Sequence, residues 1–149
     1  MLVRCLLAMV LLCVLPARGE GRIEMFYLGT ADCPYCRQWE ARARGELLAS
    51  AEGQAVRYVE IRGETLRQPI VARHYPPEFQ WVYEQIGPSR GVPRFLLAVD
   101  GRITVSAYGT GGYSQVFLPA LRAAVAQRAA AQPRAGLFQG ETHARNDPS

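Results

Sequence analysis

Residues 23–36 read IEMFYLGTADCPYC, and this stretch decides the fold. Its apolar half, residues 23–28, predicts a buried strand, and the four residues that follow predict a turn. Pro34 suits the first turn of a helix, because the N–H group that proline lacks would have no helical partner there. Cys33 and Cys36 are therefore predicted to stand at the start of a helix that directly follows a strand.

The N-terminus has the pattern of a secretory signal peptide over residues 1–19. Arg4 supplies the positive charge, and the apolar run 5–15 is too short to span a bilayer. Small residues on either side of Arg18 predict cleavage after Gly19, and with it export to the periplasm. A leader retained as a membrane anchor is the alternative interpretation.

The rest of the chain has the length and composition of one domain. The sequence has 149 residues, of which 49% are hydrophobic, enough to bury a core. We expect the domain to cover 20–131, and the Pro, Gly, Asn and charged residues of 132–149 predict a disordered tail. The net charge of +4 falls to +2 when the two leader arginines are removed, and no basic run occurs, so no nucleic-acid partner is expected.

Cleavage of the leader would leave Cys33 and Cys36 as the only cysteines. Disulfides persist in exported proteins, but a bond that closes a four-residue loop restricts the unfolded chain very little. The pair is therefore predicted to be reactive rather than structural. Two other interpretations stay open: an inert disulfide, and half of a zinc site for which the chain offers few further ligands.

The remaining sequence alternates between helix and strand patterns. Helices are predicted over 34–50, 78–86 and 113–130, strands over 56–61, 95–99 and 103–108, and a flexible turn over 109–112. Asp100-Gly101 is a strong hairpin signal between the last two strands. The order predicts an α/β fold with a mixed four-stranded sheet and helices on both faces. Residues 62–90 form an irregular helical insert, in which 64–74 is a further candidate helix.

The chemistry of the pair follows from its predicted place at a helix start. Unpaired N–H groups and the positive end of the helix dipole stabilise a thiolate at Cys33, which is predicted to be the exposed, attacking residue. Cys36, one turn into the helix, is predicted to resolve the mixed disulfide. Asp32 disfavours a thiolate at Cys33 and Arg37 favours it, so these neighbours leave the direction of exchange open.

A second motif combines one proline with apolar and glycine residues at Val92, Pro93, Leu96, Leu97, Gly101 and Gly109. Its residue types and spacing resemble the second half of thioredoxins, and residues 23 to about 130 resemble the thioredoxin fold. The resemblance implies a cis Pro93 whose loop lies against the cysteine pair, and a Val92 backbone that pairs with the substrate as an added strand. It also implies that Pro34 and Tyr35 contact the substrate.

The chain departs from thioredoxins at two positions near the pair. Asp32 stands where they have tryptophan, and Tyr27 stands where they have a buried aspartate, so a carboxylate proton relay on the first strand is not implied. The Cys-Pro-Tyr-Cys sequence itself resembles glutaredoxins. Taken together, the chain is similar to the periplasmic thioredoxin-like proteins associated with bacterial sulfur oxidation, with a helical insert before the cis-proline strand.

These resemblances imply a periplasmic thiol–disulfide oxidoreductase with a reductive or maintenance role. They imply a protein dithiol or disulfide as substrate and an upstream redox partner, with no metal and no organic cofactor. They also imply a monomer without stable membrane insertion once the signal is cleaved. The alternative is a thioredoxin-fold regulatory or binding protein that senses redox state without turnover.

Overall fold

The computed structural model describes residues 21–132. The predicted signal peptide and the predicted tail after residue 132 lie outside these residues. The strands are β1 (Ile23–Thr30), β2 (Arg57–Gly63), β3 (Arg94–Val99) and β4 (Arg102–Tyr108). The helices are α1 (Pro34–Trp39), α2 (Gly45–Ala49), α3 (Ala51–Gln54), α4 (Gln80–Ile86), α5 (Gly109–Gly112) and α6 (Leu118–Ala131). Single π-helical segments, Glu40–Arg44 and Tyr113–Phe117, join α1 to α2 and α5 to α6, and short 3-10 turns cover Ala72–His74 and Pro77–Phe79.

The four strands form one mixed sheet in the order β2-β1-β3-β4. β1 runs parallel to β2 and antiparallel to β3, and β3 runs antiparallel to β4. All eight residues of β1 are buried, as expected for a central strand that is covered on both faces. The predicted mixed four-stranded sheet is therefore confirmed.

Alternate residues of β1 face two separate cores, because successive side chains of a strand point to opposite faces. Met25 and Tyr27 pack in the core beneath α1, α2 and α6. Phe26 and Leu28 pack on the other face, against α4 and the 3-10 turns of the insert. Helices thus cover both faces of the sheet, as the sequence predicts, and the cysteine pair belongs to the first of these cores.

The hairpin between β3 and β4 turns at the predicted dipeptide. Asp100 has φ of 52° and Gly101 has φ of 77°, which is the left-handed backbone that a tight two-residue hairpin requires. The carboxylate of Asp100 also accepts hydrogen bonds from the N–H groups of Gly21 at 2.7 Å and Arg22 at 3.0 Å. The hairpin residue therefore holds the start of β1 as well as the turn.

The insert between β2 and β3 is closed by a short bridge. The N–H of Ile70 donates to the carbonyl of Ser89 at 2.9 Å, and the N–H of Ser89 donates to the carbonyl of Ile70 at 3.0 Å. The predicted helix over 64–74 is wrong, since only Ala72–His74 is helical. The N–H of Leu66 donates instead to the side chain of Asp32, and Pro69 has no N–H to give.

Two predicted segments differ from the structure at helix ends. The first long helix stops at Ala49, but residues 51–54 then form a new helical turn, because Ser50 Oγ accepts the N–H of Gly53 at 3.1 Å. The predicted flexible turn over 109–112 is also wrong, since these residues are the helix α5. The N–H of Gly109 is fixed by a 2.8 Å hydrogen bond to the carbonyl of Pro93.

Candidate active site

The cysteine pair lies at the start of α1, as predicted. Cys33 and Cys36 are joined as a disulfide with their Cα atoms 5.1 Å apart. Cys33 is the N-cap residue, and its Sγ accepts a hydrogen bond from the N–H of Cys36 at 3.0 Å. One of the unpaired donors of the helix start is therefore directed at the sulfur of Cys33, which is the arrangement that stabilises negative charge on that atom.

Both cysteines are covered in this oxidised form. Cys33 is 1% exposed and Cys36 is fully buried, so the expectation of an exposed Cys33 is wrong for the disulfide state. The reason is packing: both residues belong to the core cluster that includes Trp39 and Phe95. The exposed part of the motif is the dipeptide between the cysteines, in which Tyr35 is 62% exposed.

The loop before β3 lies directly against the pair. The Val92–Pro93 peptide bond is cis, as the resemblance implied, and Pro93 is buried. The carbonyl oxygen of Val92 lies 3.8 Å from Sγ of Cys33. Within residues 21–132 the N–H of Val92 makes no backbone hydrogen bond. The second motif of the sequence and the cysteine pair thus form one site at the end of the sheet.

Asp32 connects the pair to the insert. Its carboxylate accepts the hydroxyl of Thr65 at 2.6 Å and the N–H of Leu66 at 3.0 Å. The hydrogen bond from Thr65 is the main reason why the pKa of Asp32 lies below its ordinary value of 3.8. Asp32 therefore stays negative beside Cys33 at neutral pH while it holds residues 65 and 66. The sequence pointed to Asp32, but nothing in it pointed to Thr65.

Arg37, the predicted counter-charge to Asp32, is hydrogen-bonded to the turn that precedes the cysteine pair. Its Nη1 donates to the carbonyl oxygen of Ala31 at 2.8 Å. The guanidinium thus ties the first turn of α1 back to the residues before the pair. It adds positive charge near the helix start, where it opposes the charge of Asp32.

A phenol and a carboxylate lie next to the pair on the core side. The hydroxyl of Tyr27 donates to Oε1 of Glu40 at 2.6 Å, and Nη1 of Arg62 donates to the same oxygen at 2.7 Å. Burial raises the pKa of Tyr27 well above its usual value, and the bond to Glu40 adds to the effect. Sequence reasoning noted Tyr27 and missed Glu40, although its position four residues after Cys36 on one helix face was a usable signal.

The site is bordered by exposed apolar side chains. Among the described residues four large hydrophobic side chains are exposed: Tyr35, Leu66, Tyr108 and Val116. The first three border the site, since Tyr35 lies inside the motif, Leu66 is bonded to Asp32, and the ring of Tyr108 lies against Gly91. We call these three residues the apolar rim. Scattered exposed apolar residues are ordinary, but a concentration beside one site is typical of a contact surface.

Residues 21–132 contain neither a cluster of metal ligands nor a candidate membrane-spanning helix. No group of three or more histidine, cysteine, aspartate or glutamate side chains is placed to hold a metal ion in that range. None of the helices described there is both long enough and apolar enough to cross a membrane.

The sheet order, the buried central strand and the helix that begins at the cysteine pair define a thioredoxin-like fold. The structure is similar to the periplasmic thioredoxin SoxS of Paracoccus pantotrophus in its reduced form, at 20% identity and a TM-score of 0.49, over 71% of this chain and 98% of that chain. It is also similar to the thioredoxin Mala s 13 of Malassezia sympodialis, at 15% identity and a TM-score of 0.45, over 75% of this chain and 81% of that chain. No family model and no curated protein matches the sequence.

Proposed function

We propose that this protein exchanges thiols and disulfides with protein substrates in the periplasm, in a reductive or maintenance role. One observation carries the proposal: a disulfide closes between the N-cap and the first turn of a helix, with the unpaired N–H of Val92 in the loop beside it. A bond over so short a loop adds little stability, so its chemistry is the better explanation of its presence.

In the reductive direction the Cys33 thiolate attacks one sulfur of a substrate disulfide. A bond forms between Cys33 Sγ and that sulfur while the substrate disulfide breaks, and the second substrate sulfur leaves as a thiolate and takes a proton from water. Cys36 then loses its proton to water and attacks Cys33 Sγ. This step restores the Cys33–Cys36 disulfide and releases the first substrate sulfur, so two electrons pass from the protein to the substrate.

The N–H of Cys36 supports the assignment of Cys33 as the attacking residue. It donates to Sγ of Cys33 in the disulfide, and the same donor would stabilise a thiolate at Cys33 after reduction. Cys36 lies inside the first turn of the helix, where it has no equivalent donor, and it is fully buried. The reaction uses only sulfur chemistry, so the proposal includes no metal and no organic cofactor.

Val92 and Pro93 would position the substrate. The free N–H of Val92 and its carbonyl beside Cys33 allow an extended substrate segment to pair with this backbone as an added strand. Pro34 and Tyr35, both exposed between the cysteines, would contact the same segment. The apolar rim favours a polypeptide substrate over a small thiol, because such a surface is suited to protein contact.

The cellular setting is part of the proposal. The predicted leader would export the chain, which we propose acts as a monomer. A disulfide-exchanging protein outside the cytoplasm needs an upstream redox partner to restore its dithiol. A second function is favoured by one observation, the burial of Cys33 in the disulfide state. A covered pair suits a redox-sensing regulatory protein that changes its binding when it is oxidised and does not turn over.

Insulin reduction by dithiothreitol, followed as turbidity, separates the two functions. The wild-type protein is expected to accelerate the reaction, and Cys33→Ser is expected to run at the rate of the sample without protein. Equal rates for the wild type and Cys33→Ser would contradict the proposed enzymatic activity. Partner binding that changes with oxidation, without any turnover, would support the regulatory protein.

A further inference from the structure

Arg94 is the first residue of β3 and follows Pro93 directly. It is 8% exposed, and no carboxylate within residues 21–132 pairs with it. The arginines that do pair with carboxylates in this range all have side chains at least 38% exposed. Arg94 is thus buried and has no anion beside it among the described residues, although burial is what makes an unpaired charge costly.

The contacts of Arg94 hold its guanidinium in one orientation. Nε donates to the hydroxyl of Ser106 at 2.9 Å, and the guanidinium lies 4.8 Å from the ring centre of Tyr108. The ring of Tyr108 also lies against the backbone of Gly91, where a Cβ atom would come within 3.0 Å of it. The guanidinium is therefore fixed between β3 and β4 before any ligand arrives.

These contacts leave one edge of the guanidinium free. Nε is used by Ser106, whereas the two terminal nitrogens are not among the buried polar atoms that lack a partner, so they reach the surface. Two parallel N–H groups on a planar cation match the two oxygens of a carboxylate. The geometry of a bidentate carboxylate site is present at this edge.

A second polar group lacks a partner on the same side. The hydroxyl of Tyr75 is buried and makes no hydrogen bond within residues 21–132. Burial raises the pKa of Tyr75 to about 12, and the positive charge of Arg94 acts on it in the opposite direction. An unsatisfied buried hydroxyl near an unpaired cation calls for an explanation, and a ligand at this place supplies one.

Arg94 lies at the same end of the sheet as the reacting sulfur, and its side chain is on the opposite face, since its neighbour Phe95 packs with Cys33. Its backbone follows Val92 by two residues, and the Tyr108 ring against which its guanidinium lies also contacts Gly91. The carbonyl oxygen of Val92 is itself 3.8 Å from Sγ of Cys33. Since successive side chains of a strand point to opposite faces, a substrate strand that pairs with Val92 would direct the side chain next to its cysteine toward the Arg94 face.

We propose that Arg94, oriented by Ser106 and Tyr108, binds an acidic side chain of the polypeptide substrate beside the cysteine that undergoes exchange. This inference rests on the proposed function and extends it to a substrate class, namely disulfides flanked by aspartate or glutamate. The apolar rim then contacts the rest of the substrate protein, and Arg94 favours substrates that have an acidic residue beside the cysteine.

The test compares two disulfide-linked peptides that carry Glu or Gln one residue to either side of the cysteine, the positions whose side chains point to the Arg94 face. With the full chain, kcat/KM is expected to be about tenfold higher for the Glu peptide, the size of one charge-assisted hydrogen bond. In Arg94→Gln the ratio is expected to fall to about one. Arg102→Gln is the matched control, since it removes the same charge from an exposed position at the far end of the hairpin and should keep the wild-type ratio.

Arg94→Lys is a second variant, for the case in which Arg94→Gln does not fold. It keeps the positive charge and the aliphatic part of the side chain but lacks the planar guanidinium with its two parallel N–H groups. Its ratio is expected to lie below about threefold. Equal rates for the two peptides with the wild-type protein would overturn the subsite and leave the proposed exchange standing. Glutathione disulfide is a third substrate. If Arg94→Gln slows its reduction but does not change the ratio of the two peptides, the assignment to a polypeptide side chain is wrong.

If the wild-type protein reduces neither peptide, the proposed function fails and the subsite is decided by binding. The probe is then the Glu peptide with its cysteine replaced by serine. NMR is expected to show a shift of the Arg94 Nε–H signal with the Glu peptide and a weaker one with the Gln peptide. Equal shifts with the two peptides would overturn the subsite.

Discussion

The hydroxyl of Tyr27 donates a 2.6 Å hydrogen bond to the carboxylate of Glu40, beneath the helix that carries the cysteine pair. Tyr27 is fully buried in β1, and Glu40 stands four residues after Cys36 on that helix. Arg62 on β2 completes the set with a 2.7 Å hydrogen bond to the same oxygen. The strand therefore contributes a phenol here, and the carboxylate comes from the helix.

Tyr27→Phe tests how much this buried contact stabilises the fold. The variant keeps the ring in its core position and removes only the hydroxyl that Glu40 accepts. We expect the free energy of unfolding to fall by about 1.5–3 kcal/mol, the usual range for a hydrogen bond to a charged group. Urea unfolding measures it, with Tyr35→Phe as the exposed control that should change stability by less than about 0.5 kcal/mol. Equal losses in the two variants would show that the Glu40 contact contributes nothing.

Glu40→Gln tests whether the negative charge of Glu40 stabilises the fold, through the pH dependence of the free energy of unfolding. Burial alone would raise the pKa of Glu40, but the hydrogen bonds from Tyr27 and Arg62 outweigh it and hold the pKa below its ordinary value of 4.5. A depressed pKa in the folded state stabilises the protein above the unfolded value, and this contribution is lost as pH falls through the folded value.

The stability difference between the wild type and Glu40→Gln should thus be constant near neutral pH. It should begin to shrink as the pH falls to about 4.5 and become small once Glu40 is protonated in the folded state as well. Urea unfolding from pH 7 to pH 3 measures it. A difference that stays constant over the whole range would mean that the charge of Glu40 is not what the contact stabilises.

Thr65→Val tests the link between Asp32 and the insert. The hydroxyl of Thr65 is the largest cause of the lowered pKa of Asp32, so its removal should move the Asp32 titration up toward 3.8. The Leu66 N–H bonded to Asp32 provides the signal, because its NMR shift follows the charge of the carboxylate. Thr104→Val, whose hydroxyl bonds to Leu97 instead, should leave the midpoint where it is. An Asp32 midpoint that is identical in all three proteins would disprove this role of Thr65.

Local patterns were sufficient to predict the sheet and the position of the pair. A buried apolar run and Pro34 place the strand and the helix start, and Asp100-Gly101 places the hairpin, because each signal acts on its own neighbours. The contacts that shape the site join residues far apart in sequence. Tyr27 and Glu40 are 13 residues apart, and Asp32 and Thr65 are 33 apart. Such pairs depend on how elements pack, which a single sequence does not reveal.

The burial of Arg94 is a second feature that local sequence patterns do not predict. At the start of a predicted strand an arginine is expected to be a surface residue, since arginine is rarely buried without a partner. Its burial follows from the edge strand β4, which brings Ser106 and Tyr108 against it. The predicted exposure of Cys33 failed for a related reason, because in the folded chain Cys33 packs in a core with Trp39 and Phe95 and has the Val92 carbonyl beside its sulfur.

A matched pair of cysteine variants tests the proposed division of roles. Cys36→Ser keeps the residue whose sulfur accepts an N–H at the helix start, and Cys33→Ser keeps the residue that lies behind it. We expect Cys36→Ser to accumulate a mixed disulfide with an oxidised protein substrate, since the resolving thiol is absent, and Cys33→Ser to accumulate none. Intact-protein mass spectrometry after a fixed exposure measures both adducts. Adducts on Cys33→Ser at the level of Cys36→Ser would reverse or remove the assignment, because the buried second sulfur would then be as accessible to substrate as the first.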